Sequence, residues 1–331
     1  MSDKIDVLVI GAGSIGERHI RCFQNTHRVN VSVCETNADV RQRVVSEYGL
    51  SHAFSDFDEA VAHGFQAAVV CTPAQLHVPM ATRLAEAGMH VLIEKPLSTS
   101  LDGLDGLKKE VTARGLVAVV AYVYRSNPVL ASMRAALADG RFGKPLQLIY
   151  TGGQNFGFYR PAYREIYFND HRTGGGAIQD GLTHVVNAGE WLVGPVTRLA
   201  ADAEHKLLEG VDVEDTVNVI ARHGDVLASY AMNLHQAHNE LTVTVICERG
   251  TARFEAHEQR WRWKMDPESD WHNEASEPIE RDTTFVIQAD AFLDTIAGTA
   301  EPLCTLDEGI QTLRVNLAIL RAAETGRWQT V

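Results

Sequence analysis

Three groups of residues in this 331-residue chain have types and spacings suited to chemistry. In TGGGAIQDGLTHVVN (173–187), Asp180 and His184 stand four apart, so on a helix they share one face. An imidazole beside a carboxylate has a fixed tautomer and orientation. Its ordinary pKa of about 6.5 lets it exchange protons near neutrality, as a general base must. The glycines before the pair let the backbone approach another group closely. In HVLIEKPLS (90–98), an apolar run passes directly into Glu94, Lys95 and Pro96. Proline cannot donate to a strand ladder, so the strand stops there, and its end carries a carboxylate and an ammonium.

The third group is GAGSIG (11–16), which follows an apolar run and opens a helical stretch. In that context GxGxxG predicts a dinucleotide fingerprint. Gly11 permits the tight turn, Gly13 lets the backbone approach a pyrophosphate, and Gly16 packs helix against strand. Ser14 and Ile15 sit where free N–H groups meet the phosphates. Glu35, about 20 residues beyond Gly16, closes the next strand and can accept from ribose hydroxyls. It would repel a 2′-phosphate, so NAD is favoured over NADP. Arg41 is read as a solvated helix residue.

The elements that must position these groups follow a regular order. Apolar runs at 5–10, 29–35, 67–72, 90–95 and 116–122, with a weaker one near 51–54, alternate with helical stretches. Short runs apolar on both faces, separated by helices, predict a parallel sheet covered on both sides. Gly11, Glu35, Thr72 and Lys95 then lie at strand carboxyl ends, where open α/β sheets bind ligands. After a helix near 128–138 the pattern changes to strands near 145–154, 196–203, 215–222, 226–233, 240–247 and 250–256, which predicts mostly antiparallel pairing. Helices follow near 283–298 and 306–324. The expected architecture is α/β: an N-terminal Rossmann doubly wound parallel sheet (1–124), then a C-terminal α+β domain with a large, mostly antiparallel open sheet (125–331). The C-terminal helix is free to pack back on the first domain.

Composition narrows the function. A net charge of −13 with no Lys/Arg block argues against nucleic acid as a partner. No apolar run approaches the roughly 20 residues of a membrane span, and the start MSDKIDVLVI lacks a leader pattern. Cys22, Cys34, Cys71, Cys247 and Cys304 form no CxxC pair, which suits buried thiols in a cytoplasmic protein. No metal is expected, although His171, Asp180 and His184 are the residues that would form such a site.

CTPAQLHVPMATRLAEAGMHVLIEKPLS (71–98) resembles the core of the Gfo/Idh/MocA oxidoreductases. Thr72, Pro73, His77, Gly88, Glu94, Lys95 and Pro96 match that family's TP-xxx-H and EKP landmarks. AYVYRSNP (121–128), with Tyr122, Arg125 and Pro128, resembles its next landmark, Ser126 standing in place of an aromatic. The GGG…D-xxx-H element matches at Asp180 and His184. The glycine there is shifted by one, and Asn187 stands where the family has an acid. The resemblance implies cofactor contacts from Thr72, Pro73, His77, Glu94 and Lys95, and hydride transfer on a secondary alcohol. His184 would take the hydroxyl proton, Lys95 would stabilise the alkoxide, and Asp180 would orient the imidazole or hold a neighbouring hydroxyl. Lys95 and His184 fall in different predicted domains, so the reaction is expected in the cleft between them. The family also implies a homodimer or homotetramer formed through the C-terminal sheet.

NFGFYRPAYREIYFNDHR (155–172) is dense in arginine and tyrosine, with Arg160, Tyr163, Arg164 and Tyr167 at helical spacing. Tyrosines stack on sugar rings and arginines bind carboxylates bidentately. Tyr122, Tyr159, Arg160, Tyr163 and Arg164, with Lys95, Asp180 and His184, are therefore the candidate contacts to a sugar, cyclitol or sugar acid. His235 and His238 are read as strand or turn surface, and the alternating tryptophans of RWRWKMDPESDW (260–271) as a buried strand face. Two other functions fit the same residues: an NAD-dependent glycoside-cleaving enzyme that recycles its hydride, and a non-catalytic dinucleotide sensor.

Overall fold

The computed structural model describes residues 4–165, 167–274, 279–280 and 282–331. The chain forms two compact units. One holds residues up to Ser126 together with Glu280–Ile310, and the other holds Asn127–Ile279 and Gln311–Val331. The sequence reading sets 1–124 against 125–331 and leaves the C-terminal helix free to pack back on the first domain; residues 280–310 group with the first unit. Nothing local in that helical stretch signals which unit it will cover.

The first unit alternates β1 (Ile5–Ile10), α1 (Ser14–Asn25), β2 (Val29–Cys34), α2 (Ala38–Tyr48), β3 (Ala53–Phe54), α3 (Phe57–His63), β4 (Ala67–Val70), α4 (His77–Glu86), β5 (His90–Ile93), α5 (Leu104–Ala113) and β6 (Ala118–Val120). Its six strands are parallel, in the order β3-β2-β1-β4-β5-β6. Order reverses beside β1, which opens a crevice at the carboxyl ends of β1 and β4. β1 and β4 carry no exposed apolar side chain to spare: Val7, Leu8, Val9, Ala67, Ala68, Val69 and Val70 are all fully buried. A strand buried on both faces has to be apolar throughout, and these are.

The second unit runs α6 (Pro128–Ala138), β7 (Pro145–Gly153), α7 (Phe156–Tyr159), α8 (Thr183–Val193), β8 (Arg198–Glu204), β9 (Thr216–His223), β10 (Val226–Asn233), β11 (Glu240–Cys247), β12 (Thr251–Glu255), β13 (Arg260–Lys264) and β14 (His272–Glu274). Next in the chain, α9 (Thr283–Ile296) lies on α1 in the first unit, with Phe292 edge-on to Phe23 and Asp282 paired with Arg21. The unit boundary then falls within α10 (Leu306–Thr325), and β15 (Gln329–Thr330) ends the chain.

The nine-stranded sheet has the order β14-β13-β12-β11-β7-β10-β9-β8-β15. It is antiparallel except where β10 runs parallel to β7, its neighbour from much earlier in the chain. Alternation sorts its two faces. Tyr150, Tyr230, Phe254 and Val217 point inward and are buried, whereas Leu227 and Ile220 are exposed on the other face. Trp261 is buried and donates its indole N–H to Ser132 Oγ, so the strand reading of 260–264 holds.

Candidate functional site

The strand register of the first unit sets the candidate residues level. Ile10 pairs with Val70, Val70 with Ile93, and Ile10 with Cys34. The residues that follow, Gly11, Cys71, Glu94 and Glu35, therefore leave the sheet in one row, with Thr72 and Lys95 one residue further. At about 5 Å per strand, the end of β5 lies about 10 Å from that of β1.

The glycine loop is shaped by its close contacts. Gly11 has φ +85°, and a Cβ on Gly16 would lie 1.9 Å from Gly11 O, so a larger residue cannot stand there. A Cβ on Gly13 would meet nothing within 4 Å. The N-terminus of α1 begins there with no side chain capping it. Open space over an uncapped helix start of twelve residues fits a pyrophosphate. Ser14 is exposed and Ile15 half-buried at that start. Glu35 accepts from Ala12 N (2.7 Å) and Asn37 N (2.8 Å), tying β2 to the loop. Arg41 is not a solvated bystander, since it donates to the Glu35 and Thr36 carbonyls.

The turn after β5 corrects one expectation. Glu94 does not emerge toward a ligand: it is 4% exposed, with both oxygens spent inward. Oε1 accepts from His19 Nε2 at 2.7 Å, and Oε2 accepts from the Lys95 main-chain N–H at 2.9 Å. Burial raises the Glu94 carboxyl, but His19, Lys95 and the Lys95 N–H outweigh it and leave it below its ordinary value. His77 is likewise internal. Its Nε2 lies 2.7 Å from Thr72 O and its Nδ1 3.0 Å from Pro96 O. Burial pushes its pKa down against the pull of those carbonyls. A neutral ring donates to only one of the two. The side chains of Glu94 and His77 thus frame the turn from within. Thr72 donates to Met80 Sδ, and Pro73 leads into a 3₁₀ turn, Ala74–Leu76. Of residues 91–98, only Lys95 is not buried. Tyr122, one residue past the β6 row, is 1% exposed, and Arg125 is buried and paired with Glu308 at 2.5 Å.

In the second unit the Asp180 segment is not an ordinary α-helix. Ile178–Leu182 is a π-helical turn, and α8 begins at Thr183. The wider turn replaces the regular i,i+4 geometry expected of Asp180 and His184. Within 174–189, Asp180, Gly181 and His184 are nonetheless the residues that are not buried, so the turn still brings both side chains to one strip of surface. Asp180 Oδ1 accepts from Tyr167 Oη at 2.7 Å. α8 is anchored from α10: Asn316 donates to Thr183 Oγ1 and Asn187 to Thr312 Oγ1, all four buried. Asn187 is therefore a structural residue here.

Glu214 organises the approach to this turn. It accepts from Ile178 N (2.8 Å) and from His171 Nε2 (2.5 Å), and it fills the space a Cβ on Gly176 would need. The Glu214 hydrogen bond raises the His171 pKa, against partial desolvation. His171 is thus committed to Glu214. Among the described residues, no three His, Cys, Asp or Glu side chains converge as a metal site would require.

The arginine–tyrosine segment does not form one helix face. It breaks into α7 and two 3₁₀ turns, Pro161–Glu165 and Tyr167–Asn169, because Pro161 interrupts the helical run. Tyr163 is buried, and its hydroxyl donates to Glu209 O, as does Arg164 Nε. These two hold the 207–210 loop. Tyr159, Arg160 and Tyr167 stay exposed. His235 and His238 pair locally with Thr216 and Glu240. All five cysteines are buried and unbridged.

Sequence reading missed His19 and Glu214. The signal for His19 was a polar residue on the apolar stripe Ile15–His19–Phe23 of α1, which needs a buried partner. For Glu214 it was an acidic pair, Glu214–Asp215, immediately before an apolar strand.

Known proteins share the fold just described. Residues 5–122 match a family profile described as an oxidoreductase family with an NAD-binding Rossmann fold, and residues 130–253 match a GFO/IDH/MocA C-terminal domain. A 4-carboxy-2-hydroxymuconate-6-semialdehyde dehydrogenase of Sphingobium sp. is 34% identical over 37% of this chain and 39% of its own length. A 1,5-anhydro-D-fructose reductase of Ensifer adhaerens is 25% identical over 96% of both chains. A solved levoglucosan dehydrogenase in complex with NADH covers 99% of both chains at a TM-score of 0.91 and 20% identity, which is a likeness of fold. The WlbA dehydrogenase of Bordetella pertussis, solved with NADH and UDP-GlcNAcA, is 26% identical with a TM-score of 0.83 over 99% of both chains. Among the described residues no helix is long and apolar enough to cross a membrane.

Proposed function

The chain belongs to the Gfo/Idh/MocA oxidoreductases, and from that premise we propose that it transfers hydride between NAD and a secondary alcohol of a sugar, cyclitol or sugar acid. The observation that carries this reading is the row at the carboxyl ends of β1, β4 and β5. There an open, uncapped phosphate cradle and the single unburied residue of the β5 turn, Lys95, stand two strands apart in one sheet, on either side of β4. The substrate class draws on relatives named for levoglucosan, anhydrofructose and inositol.

Bound at the cradle, NAD supplies the hydride acceptor. Gly11, Gly13 and Gly16 shape the loop, the first N–H groups of α1 hold the phosphates, and Glu35 reads the adenosine ribose. In the oxidation direction, His184 takes the hydroxyl proton while the carbinol hydrogen leaves with its electron pair. The substrate thereby becomes a ketone. Lys95 stabilises the negative charge that develops on the oxygen, and a preorganised ammonium there is worth more than water because it does not reorganise during the step. Asp180, already holding the Tyr167 hydroxyl, presents a polar edge to the substrate, and the exposed Tyr159 and Arg160 are further candidate contacts. The reading includes a cytoplasmic location. It also includes a second copy covering the open face of the nine-stranded sheet, where Leu227 and Ile220 are exposed. Sedimentation that returns only monomer would remove the latter.

The test is a screen of polyols, aldoses, sugar acids, anhydrosugars and glycosides with NAD and with NADP. The expected result is net NADH accumulation with one of the first four classes. Cleavage of a glycoside with no net NADH, or turnover with NADP alone, would overturn the assignment.

A further inference from the structure

His19 has no place in the function just described, yet it is among the most enclosed polar side chains of the first unit. It is 1% exposed, edge-on to Phe285 at 5.7 Å and tilted against Phe23. A buried imidazole is retained at a cost unless it makes a hydrogen bond that matters. Its Nε2–H goes to Glu94 Oε1, and the other oxygen of the same carboxylate accepts the Lys95 main-chain N–H. Glu94 is therefore a bridge with one end on α1 and the other on the peptide that carries Lys95.

Without His19, the Glu94 carboxylate would keep one short contact to its neighbour's N–H and lose its anchor to the body of the unit. The carboxylate cannot anchor the turn unless something rigid fixes the carboxylate. α1 is that rigid body, and its N-terminus is the phosphate cradle, with Gly16 only three residues before His19. One helix thus fixes both the place of the cofactor's phosphates and the main chain beneath the ammonium. On the opposite side of the turn, Pro96 O lies against His77, which fixes the turn's exit independently of α1.

We propose that His19 is a positioning residue for Lys95, acting through the carboxylate of Glu94, so that α1 sets the reactive ammonium in register with the dinucleotide it binds. The inference rests on the role proposed above for Lys95.

The test reads the Lys95 amide directly, by hydrogen–deuterium exchange of the full-length protein saturated with NADH. Gln at position 19 can donate through Nε2 at nearly the reach of the imidazole. Leu cannot donate, and Asn is too short to reach Glu94. In His19→Leu and His19→Asn, exchange at Lys95 should rise about tenfold or more, the scale of a lost charge-assisted hydrogen bond. His19→Gln should stay within about threefold of the wild type, and Val91–Ile93 should be unchanged in all three. If His19→Leu does not fold, the Asn and Gln pair decides. Equal exchange in all variants, or a rise spread evenly over α1 and β5 that Gln does not rescue, would overturn the proposal, because packing alone would then explain His19.

Turnover on a substrate found by the screen separates the two levels. Lys95→Ala inactive with His19→Leu at full rate would sink the inference and spare the function. Lys95→Ala at full rate would sink the function whatever the amide does. A drop in kcat for His19→Leu, with NADH affinity held within about threefold, is the expected result.

Discussion

Each unit holds its candidate residue on a turn tied down by a buried glutamate that also bonds a histidine, and the two arrangements differ in depth. Glu94 and His19 are enclosed together, with side-chain exposures of 6% and 1%, and the glutamate grips the main-chain N–H of Lys95 itself. Glu214 is as buried, at 7%, but its partner His171 is 45% exposed, and the N–H it grips belongs to Ile178, two residues before Asp180. The first is a closed bracket around one residue. The second is a bracket with one arm in water, set at the mouth of a π-helical turn. An ammonium that must meet a developing charge profits from the closed arrangement, since preorganisation is what lowers the barrier. A segment that contacts the variable part of a substrate tolerates the open one.

The largest expected effect is on rate, and it tests whether the closed bracket serves the chemistry. Lys95→Ala should lower kcat about 10²–10³-fold, the scale of removing one preorganised charge partner. Asp180→Asn should cost about tenfold and fall mainly on KM, because Tyr167 Oη keeps a carbonyl to donate to. Steady-state kinetics on one substrate check both. Equal losses at the two positions would erase the distinction.

Stability gives the next contrast, read by urea unfolding. Glu94→Ala strands the His19 and Lys95 N–H groups in the interior and is expected to cost about 3–5 kcal/mol. Glu214→Ala strands the Ile178 N–H, while His171 can turn to solvent, and should cost about 2–3 kcal/mol. A larger loss at 214 than at 94 would mean that exposure of the histidine does not decide the matter.

The same contrast explains what sequence could and could not supply. Strand ends, the glycine loop and EKP are local patterns: each is written in consecutive residues whose periodicity or turn chemistry is physical. The bridges are not. His19 and Glu94 are 75 residues apart and His171 and Glu214 are 43 apart, so neither pairing leaves a spacing to read. Glu94 was misread as emerging toward a ligand because a charge at a strand end usually faces water, and only the partner on α1 turns it inward. The helical face drawn through Tyr163 and Arg164 was misread for a related reason. Helical spacing is meaningful only if the helix persists, and Pro161 breaks it. The π-turn at Ile178–Leu182 has no composition signal, and the residue that meets Gly176 at its start, Glu214, comes from far along the chain.

The smallest effect concerns pH, and it separates a histidine held in charge from one held out of it. Glu214 raises the folded-state value of His171. Its contribution is therefore fully present below the ordinary value of about 6.5 and is lost as pH rises through the raised value. Burial lowers that of His77, so its contribution is present above about 6.5 and is lost as pH falls toward the lowered value. Urea unfolding of His171→Gln and His77→Gln against the wild type, from about pH 5 to pH 8, should give stability gaps that slope in opposite directions. The His171 gap should stay below about 1 kcal/mol, because solvent screens a half-exposed pair, and it should shrink with added salt. The His77 gap should be indifferent to salt, because its partners are main-chain carbonyls inside the fold. Parallel slopes would show that His171 is held neutral as His77 is, and the reading of the Glu214 pair as one that holds a charged histidine would fall.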